Sequence, residues 1–309
     1  MMSALLRRLQ PPARAGASAQ ASATATRAPS ANVAASQGRA GSFLVRGHRV
    51  AYREYGEGPR PLVLTHGLLM DSRMYGKLAP TLAAGGNRVI TVDMVGHGDS
   101  TQPLDMTEHS MPQYGRDVLA LLDHLGLEQA VVGGTSLGAN VALEAAVAAP
   151  QRVRALVLEM PVLENALPAA AAAFVPLALA LRVSMPTMRA LAQLTRRIPR
   201  SSLLVDAMLD FVRRDPHASL AVLDGLTFGR IAPPPQERAQ LAHRALVIGH
   251  PSDPIHPFSD ADRVGRELRN ARVVAARSIL EWRLEPRFLD AELLGFLEEA
   301  WASSPYPLG

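Results

Sequence analysis

The sequence predicts an α/β protein built on a mostly parallel sheet flanked by helices, and three observations lead there. Residues 61–65, 88–95, 130–135, 153–158 and 245–249 include short, continuous apolar runs of the kind found in strands covered on both faces. Helical runs lie between them, and strands alternating with helices are joined in parallel by crossovers. Between Met160 and Gln240 the strand signals stop. Turns at Pro161, Pro186, Pro199 and 233–235 divide that interval, which predicts a helical insertion.

Composition narrows the functional classes. At 309 residues with 48% hydrophobic and 19% charged side chains, the chain can bury a large core and is not of disordered composition. It has no cysteine, which excludes disulfides, thiolate metal sites and a cysteine nucleophile. The net charge of +4 is unevenly placed: eight arginines precede Glu54, the first acidic residue. They leave 24 basic against 28 acidic residues in 54–309, so the body is mildly acidic and lacks the basic surface that tracks phosphates. No nucleic-acid partner is expected.

Taken in order, residues 1–40 are Ala, Ser, Thr, Pro and Arg with few large apolar side chains, so they are expected to form a disordered tail. No apolar run follows Arg7-Arg8, which argues against a signal peptide. Residues 42–55 hold two alternating runs meeting at Arg46-Gly47-His48, a hairpin signal. The strand at 61–65 leads into His66-Gly67-Leu68-Leu69, and that at 88–95 into Gly96-His97-Gly98-Asp99-Ser100. Residues 114–127 place Val118, Leu119, Leu121, Leu122 and Leu125 at helical spacing.

The stretch 130–150 reads as strand, sharp turn and helix, with Gly134-Thr135-Ser136-Leu137-Gly138 at the turn. A turn that tight leaves no room for Cβ atoms two residues either side of the serine. The helix behind it aims free N–H groups and a positive dipole end at whatever Ser136 attacks. Further strands are expected at 153–158, 245–249 and 272–275, and a closing helix at 286–301. The organisation is therefore a tail at 1–40, a core at 41–160 and 240–303, and a helical cap at 161–239.

The uncharged segment 166–181 has the composition of a membrane span. Its length, with Pro168 and Pro176 inside it, argues against crossing, because about 20 apolar residues are needed. An apolar lid over the Ser136 turn is expected, with no stable membrane insertion and a cytoplasmic location.

Over residues 42–301, four marks occur in order: His66-Gly67, Asp93 with Gly96-His97-Gly98-Asp99-Ser100, the glycine-flanked Ser136, and Gly249-His250-Pro251-Ser252-Asp253-Pro254-Ile255-His256-Pro257. Together they resemble the α/β-hydrolase superfamily, whose nucleophile sits on a G-x-S-x-G elbow. The resemblance implies an α/β-hydrolase fold with Ser136 as nucleophile, Asp253 as the acid that orients the base, and the Leu68 and Leu137 amides as oxyanion hole. It implies no cofactor and no metal. Gly67, Leu69 and Phe174 are expected at the substrate. His66, His97 and Asp93 are expected to fix loops.

The chain departs from the family at the base. The loop after the last strand, 277–285, contains no histidine, and the only one after Asp253 is His256. Three readings stand: His256 serves as base, an upstream histidine such as His250 or His66 is recruited, or a ligand pocket persists without efficient hydrolysis. Glu159 lies where some relatives place their acid and otherwise reads as a pocket or ion-pair carboxylate. The expected function is a cofactor-independent serine hydrolase of a carboxylic ester or related acyl substrate with an apolar portion. The alternative is a catalytically impaired protein that binds a small apolar ligand.

Overall fold

Eight strands form one sheet in the order β1–β2–β4–β3–β5–β6–β7–β8 in a computed structural model that describes residues 38–199, 209, 212–278, 281–284 and 286–303. The first two, β1 (Arg39–Val45) and β2 (His48–Tyr55), make the expected antiparallel hairpin. Arg46 and Gly47 both take positive φ at its turn (52° and 79°), as a two-residue primed turn requires. Antiparallel pairing continues from β2 to β4 (Asn87–Val92). The other neighbours are parallel: β3 (Arg60–Thr65), β5 (Ala130–Thr135), β6 (Val153–Glu159), β7 (Arg244–Gly249) and β8 (Asn270–Ala275).

The tail's expected boundary moves. Arg39 and Ala40 belong to β1, whereas residues 1–37 lie outside the described residues. The strand expected at 88–95 ends at Val92, because Asp93 leaves the sheet to accept hydrogen bonds from the amides of Ser72 (2.7 Å) and Asp99 (2.8 Å).

Continuous apolar strands are explained by two covered faces. Val63, Ile90, Val132 and Val247 point to the face covered by α2 (Met111–His124), α3 (Leu137–Ala148) and α8 (Phe258–Glu267). Their chain neighbours Leu62, Leu64, Val89, Val131 and Leu246 point to the other, under α1 (Leu78–Ala84), the short α9 (Glu281–Leu284) and α10 (Arg287–Ala302). The sequence reading named neither α1 nor α8. Seven residues give α1 too little periodicity, and α8 is a polar helix that buries only Asp260, Ala261 and Val264.

Between β6 and β7 the cap contains α4 (Leu167–Val183), α5 (Met185–Thr195), α6 (Pro216–Thr227) and the short α7 (Pro235–Arg238). Leu181, Val222 and Leu223 bury against Leu69 of the core, with Phe174, Leu177 and Met188 around them. The length expected for this segment is corrected here. With the turn before it, α4 makes a helical run from Glu164 to Val183, 20 residues long and apolar enough to cross a membrane. Pro168 sits in the first turn, where no N–H is needed, and the helix continues through Pro176.

The roots of the cap are held by buried polar side chains. Asn140 on α3 donates to the carbonyls of Val162 (2.7 Å) and Ile231 (2.8 Å) and accepts from the Val162 amide (3.1 Å), so one amide ties both ends of the insertion. Asp260 on α8 accepts from the amides of Leu163 and Ala166. Replacing Asn140 by Leu leaves buried backbone groups unpaired. We expect Asn140→Leu to lower stability by about 2–4 kcal/mol in urea unfolding.

Candidate active site

The site lies at the carboxyl ends of the parallel strands. The chain order reverses across β3, with β4 on one side and β5 on the other, and open α/β sheets bind ligands at such a point. Ser136 stands between β5 and α3 with φ 56° and ψ −114°, an unusual conformation for a residue with a Cβ. Its amide donates to the Glu159 carbonyl at 2.8 Å. The flanking glycines are required by β3: a Cβ on Gly134 or Gly138 would lie 2.3 or 2.0 Å from the Thr65 carbonyl oxygen. The Thr65 hydroxyl bridges the carbonyls of Gly133 (3.1 Å) and Gly138 (3.0 Å), closing the turn.

One loop carries both Asp253, the expected acid, and His256, the candidate base. After β7, Asp253 accepts through Oδ1 from the amides of Ile255 (2.7 Å) and His256 (2.8 Å), which curls 253–256 into a tight turn. The imidazole of His256 thereby comes back over its own acid. Its Nδ1 lies 3.1 Å from Asp253 Oδ2, without the alignment of a good hydrogen bond, and its Nε2 accepts from the Ser136 hydroxyl at 2.8 Å. Proton placement follows from the partners: the nitrogen facing the carboxylate carries the hydrogen, so the one facing Ser136 is a free acceptor.

The alternative histidines are engaged elsewhere. His66 donates from Nδ1 to the Gly67 carbonyl (2.8 Å) and accepts at Nε2 from the Met94 amide (3.1 Å), tying the loop after β3 to that after β4. Burial holds His66 and His97 below the ordinary histidine range and therefore neutral. His250 contacts Glu159 at 3.2 Å and the Ser278 carbonyl at 2.8 Å. Glu159 is buried and also accepts from Thr135, so it sits beneath the elbow and does not line the cavity.

A cavity of about 1140 Å³ opens beside Ser136. All the residues expected to act in catalysis, the oxyanion hole or substrate contact line it: Gly67, Leu68, Leu69, Ser136, Leu137, Phe174, Asp253 and His256. The Leu137 amide is the first of α3 and has no acceptor within the helix. That of Leu68 donates to no backbone carbonyl among the described residues. Strain gathers here: three of the four non-glycine residues with positive φ among the described residues, Leu69, Ser136 and Met160, line the cavity.

Comparison with known proteins agrees with this architecture. Residues 60–210 match the family model described as alpha/beta hydrolase fold. The chain belongs to the α/β-hydrolase superfamily. It is 44% identical over 103 residues to the dihydrolipoyllysine-residue acetyltransferase component of the acetoin cleaving system of Pseudomonas putida, covering 33% of this chain and 27% of that protein. It is 36% identical over 117 residues to bifunctional epoxide hydrolase 2 of Sus scrofa, covering 38% and 21%. The chain thus spans about a quarter of the length of these curated relatives. The structure of the enol-lactonase from Burkholderia xenovorans superposes with TM-score 0.68 at 24% identity, over 84% of this chain and all of that one, and shows likeness of fold.

Within this α/β-hydrolase site, sequence reasoning missed several wall residues. Met160 and Ile231 come from the two ends of the cap insertion, and Arg182 of α4 pairs with Asp224 of α6 on the cavity wall. Asp71 and Arg73 form a second wall pair, and the Asp71 carboxyl falls below its ordinary range because Arg73 outweighs the effect of burial. Only the pattern Asp-x-Arg hinted at that pair.

Burial alone would raise the Asp253 carboxyl, but the His256 ring and the amides of His256 and Ile255 outweigh it and bring it down to about 2. A carboxyl lowered in the fold stabilises above its unfolded value near 4 and loses that contribution as pH falls toward 2. The stability gap between wild type and Asp253→Asn should therefore narrow steadily from pH 5 to pH 2 in urea titrations. A gap that stays constant would remove the ionised Asp253 from the network.

Proposed function

We propose that the protein is a cofactor-independent serine hydrolase acting on carboxylic esters or related acyl compounds with an apolar portion. The observation that carries this reading is the 2.8 Å contact between Ser136 Oγ and His256 Nε2, backed by Asp253 3.1 Å behind the ring. In the proposed cycle, the Ser136 oxygen attacks the acyl carbonyl as its proton passes to Nε2 of His256. The carbonyl oxygen, now negative, is held by the N–H groups of Leu68 and Leu137. The imidazolium then protonates the departing alcohol, leaving an acyl-serine. Water, deprotonated by the same imidazole, releases the acid and restores the serine.

Asp253 keeps the ring in the tautomer that can accept a proton, and its lowered pKa keeps it ionised while the ring becomes positive. The cavity walls support the proposed substrate class, since Met70, Met111, Phe174, Leu226 and Ile231 provide an apolar chamber. The missing histidine in the last loop had favoured a binding protein without turnover. The approach of His256 to Ser136 favours the enzyme instead.

The test is hydrolysis of short p-nitrophenyl esters together with labelling by a fluorophosphonate. We expect Ser136→Ala to abolish labelling and lower kcat by about 10³-fold or more. His256→Gln should do the same to kcat while moving Tm little. Turnover at the wild-type rate in either variant, or no Ser136-dependent labelling of the wild type, would overturn the assignment.

A further inference from the structure

The cap leaves an apolar surface in water. Eight of the eleven large hydrophobic side chains that are exposed among the described residues belong to it. On α4, Val175 (60% exposed), Leu179 (59%) and Val183 (74%) recur every four residues and so form one stripe. Leu191 and Leu194 of α5, with Ile198 just beyond it, form a second at spacings of three and four. Eight exposed large apolar side chains on one insertion call for a partner, since large exposed apolar patches on soluble proteins mark interaction sites.

Two observations say what covers it. The first is position. Leu167, Val175, Leu179 and Phe228 are both exposed and part of the cavity wall, so the chamber beside Ser136 opens through this patch. An apolar molecule dissolved in whatever covers the patch enters the chamber without crossing water. The second is charge. From 165 to 199 the chain contains Arg182, Arg189, Arg196 and Arg197 and no acidic residue. Arg182 is neutralised by Asp224, whereas Arg189, Arg196 and Arg197 are exposed and form no ion pair among the described residues.

An exposed cap surface that combines apolar stripes with unpaired arginines matches the boundary of a negatively charged bilayer, where long cationic side chains reach the headgroups and the apolar side chains enter the acyl region. A second copy of the chain fits less well, since a two-fold contact through this face sets like charges against each other. Bilayer crossing by α4 is opposed by its inner side: Phe174, Leu177 and Leu181 pack on α6 and on Leu69, and spanning would strip them from that core.

We propose that the outward face of α4 and α5 docks on an anionic phospholipid bilayer and turns the mouth of the cavity toward the acyl chains. Docking needs no chemistry at Ser136, so it stands or falls separately from the hydrolase reading, while the delivery of an apolar substrate from the lipid rests on that reading.

The test is flotation of the full chain with vesicles of phosphatidylcholine alone or mixed with phosphatidylglycerol. Wild type and Ser136→Ala should float with the mixed vesicles, less with phosphatidylcholine, and less as salt rises. Val183→Ser/Leu194→Ser/Ile198→Ser should lose binding to both kinds of vesicle. Arg189→Gln/Arg197→Gln should lose about tenfold or more in partitioning to the mixed vesicles. None of these five positions lines the cavity, so both variants should keep the wild-type melting curve and wild-type turnover of a water-soluble short ester. Failure of wild type to float, equal flotation of the variants, resistance of the bound protein to alkaline carbonate, or a wild-type dimer that the apolar variant disperses would each overturn the proposal.

Discussion

The closeness of β3 to the first turn of α3 sets the geometry on which the rest of the site depends. The Thr65 carbonyl occupies the space where side chains at Gly134 and Gly138 would begin, so the helix starts almost against the strand. A serine between them can only bend into φ 56°, a conformation that costs on the order of 1–3 kcal/mol. The surroundings hold it there. Its amide is bound to β6, the Thr65 hydroxyl clasps the carbonyls on both sides, and Tyr75 bonds the Thr65 carbonyl from beneath. Strain stored at one residue thus presents an alcohol oxygen, with the first amide of a helix beside it, at the edge of a rigid sheet.

On that edge, a single loop after β7 brings together what the superfamily resemblance divides between two. The Asp253 carboxylate does two tasks with two oxygens: Oδ1 shapes the turn by holding two amides, and Oδ2 faces the imidazole that the turn returns to it. Prolines at 254 and 257 limit the backbone on either side of the His256 pair. The loop after β8, residues 277–285, contains no histidine. Its Ser278 carbonyl instead anchors His250, whose other nitrogen meets the buried Glu159.

The cap joins two environments through thin helices. Phe174 and Ala178 of α4 close the chamber, Val175 and Leu179 stand exposed at its rim, and Val183 lies in water beyond it. Its own core is small, and Asn140 and Asp260 tie its backbone to the helices of the core. A lid tied at its roots and lightly packed above is suited to admitting apolar molecules without disturbing the elbow below.

What the sequence determined by itself was whatever depends on near neighbours in the chain. Continuous apolar runs marked the buried strands, and the glycines around Ser136 marked the elbow, because pleat and turn are properties of five or six consecutive residues. The end of β4 at Val92 and the polar helix α8 escaped, since each is decided by a partner far along the chain. The length of α4 through Pro176 escaped local proline rules as well. Only the tertiary structure decided that His256 meets Ser136, 120 positions away, and that Asn140 holds both roots of the cap. Such contacts are set by how strands stack side by side, and spacing along the chain carries no record of that.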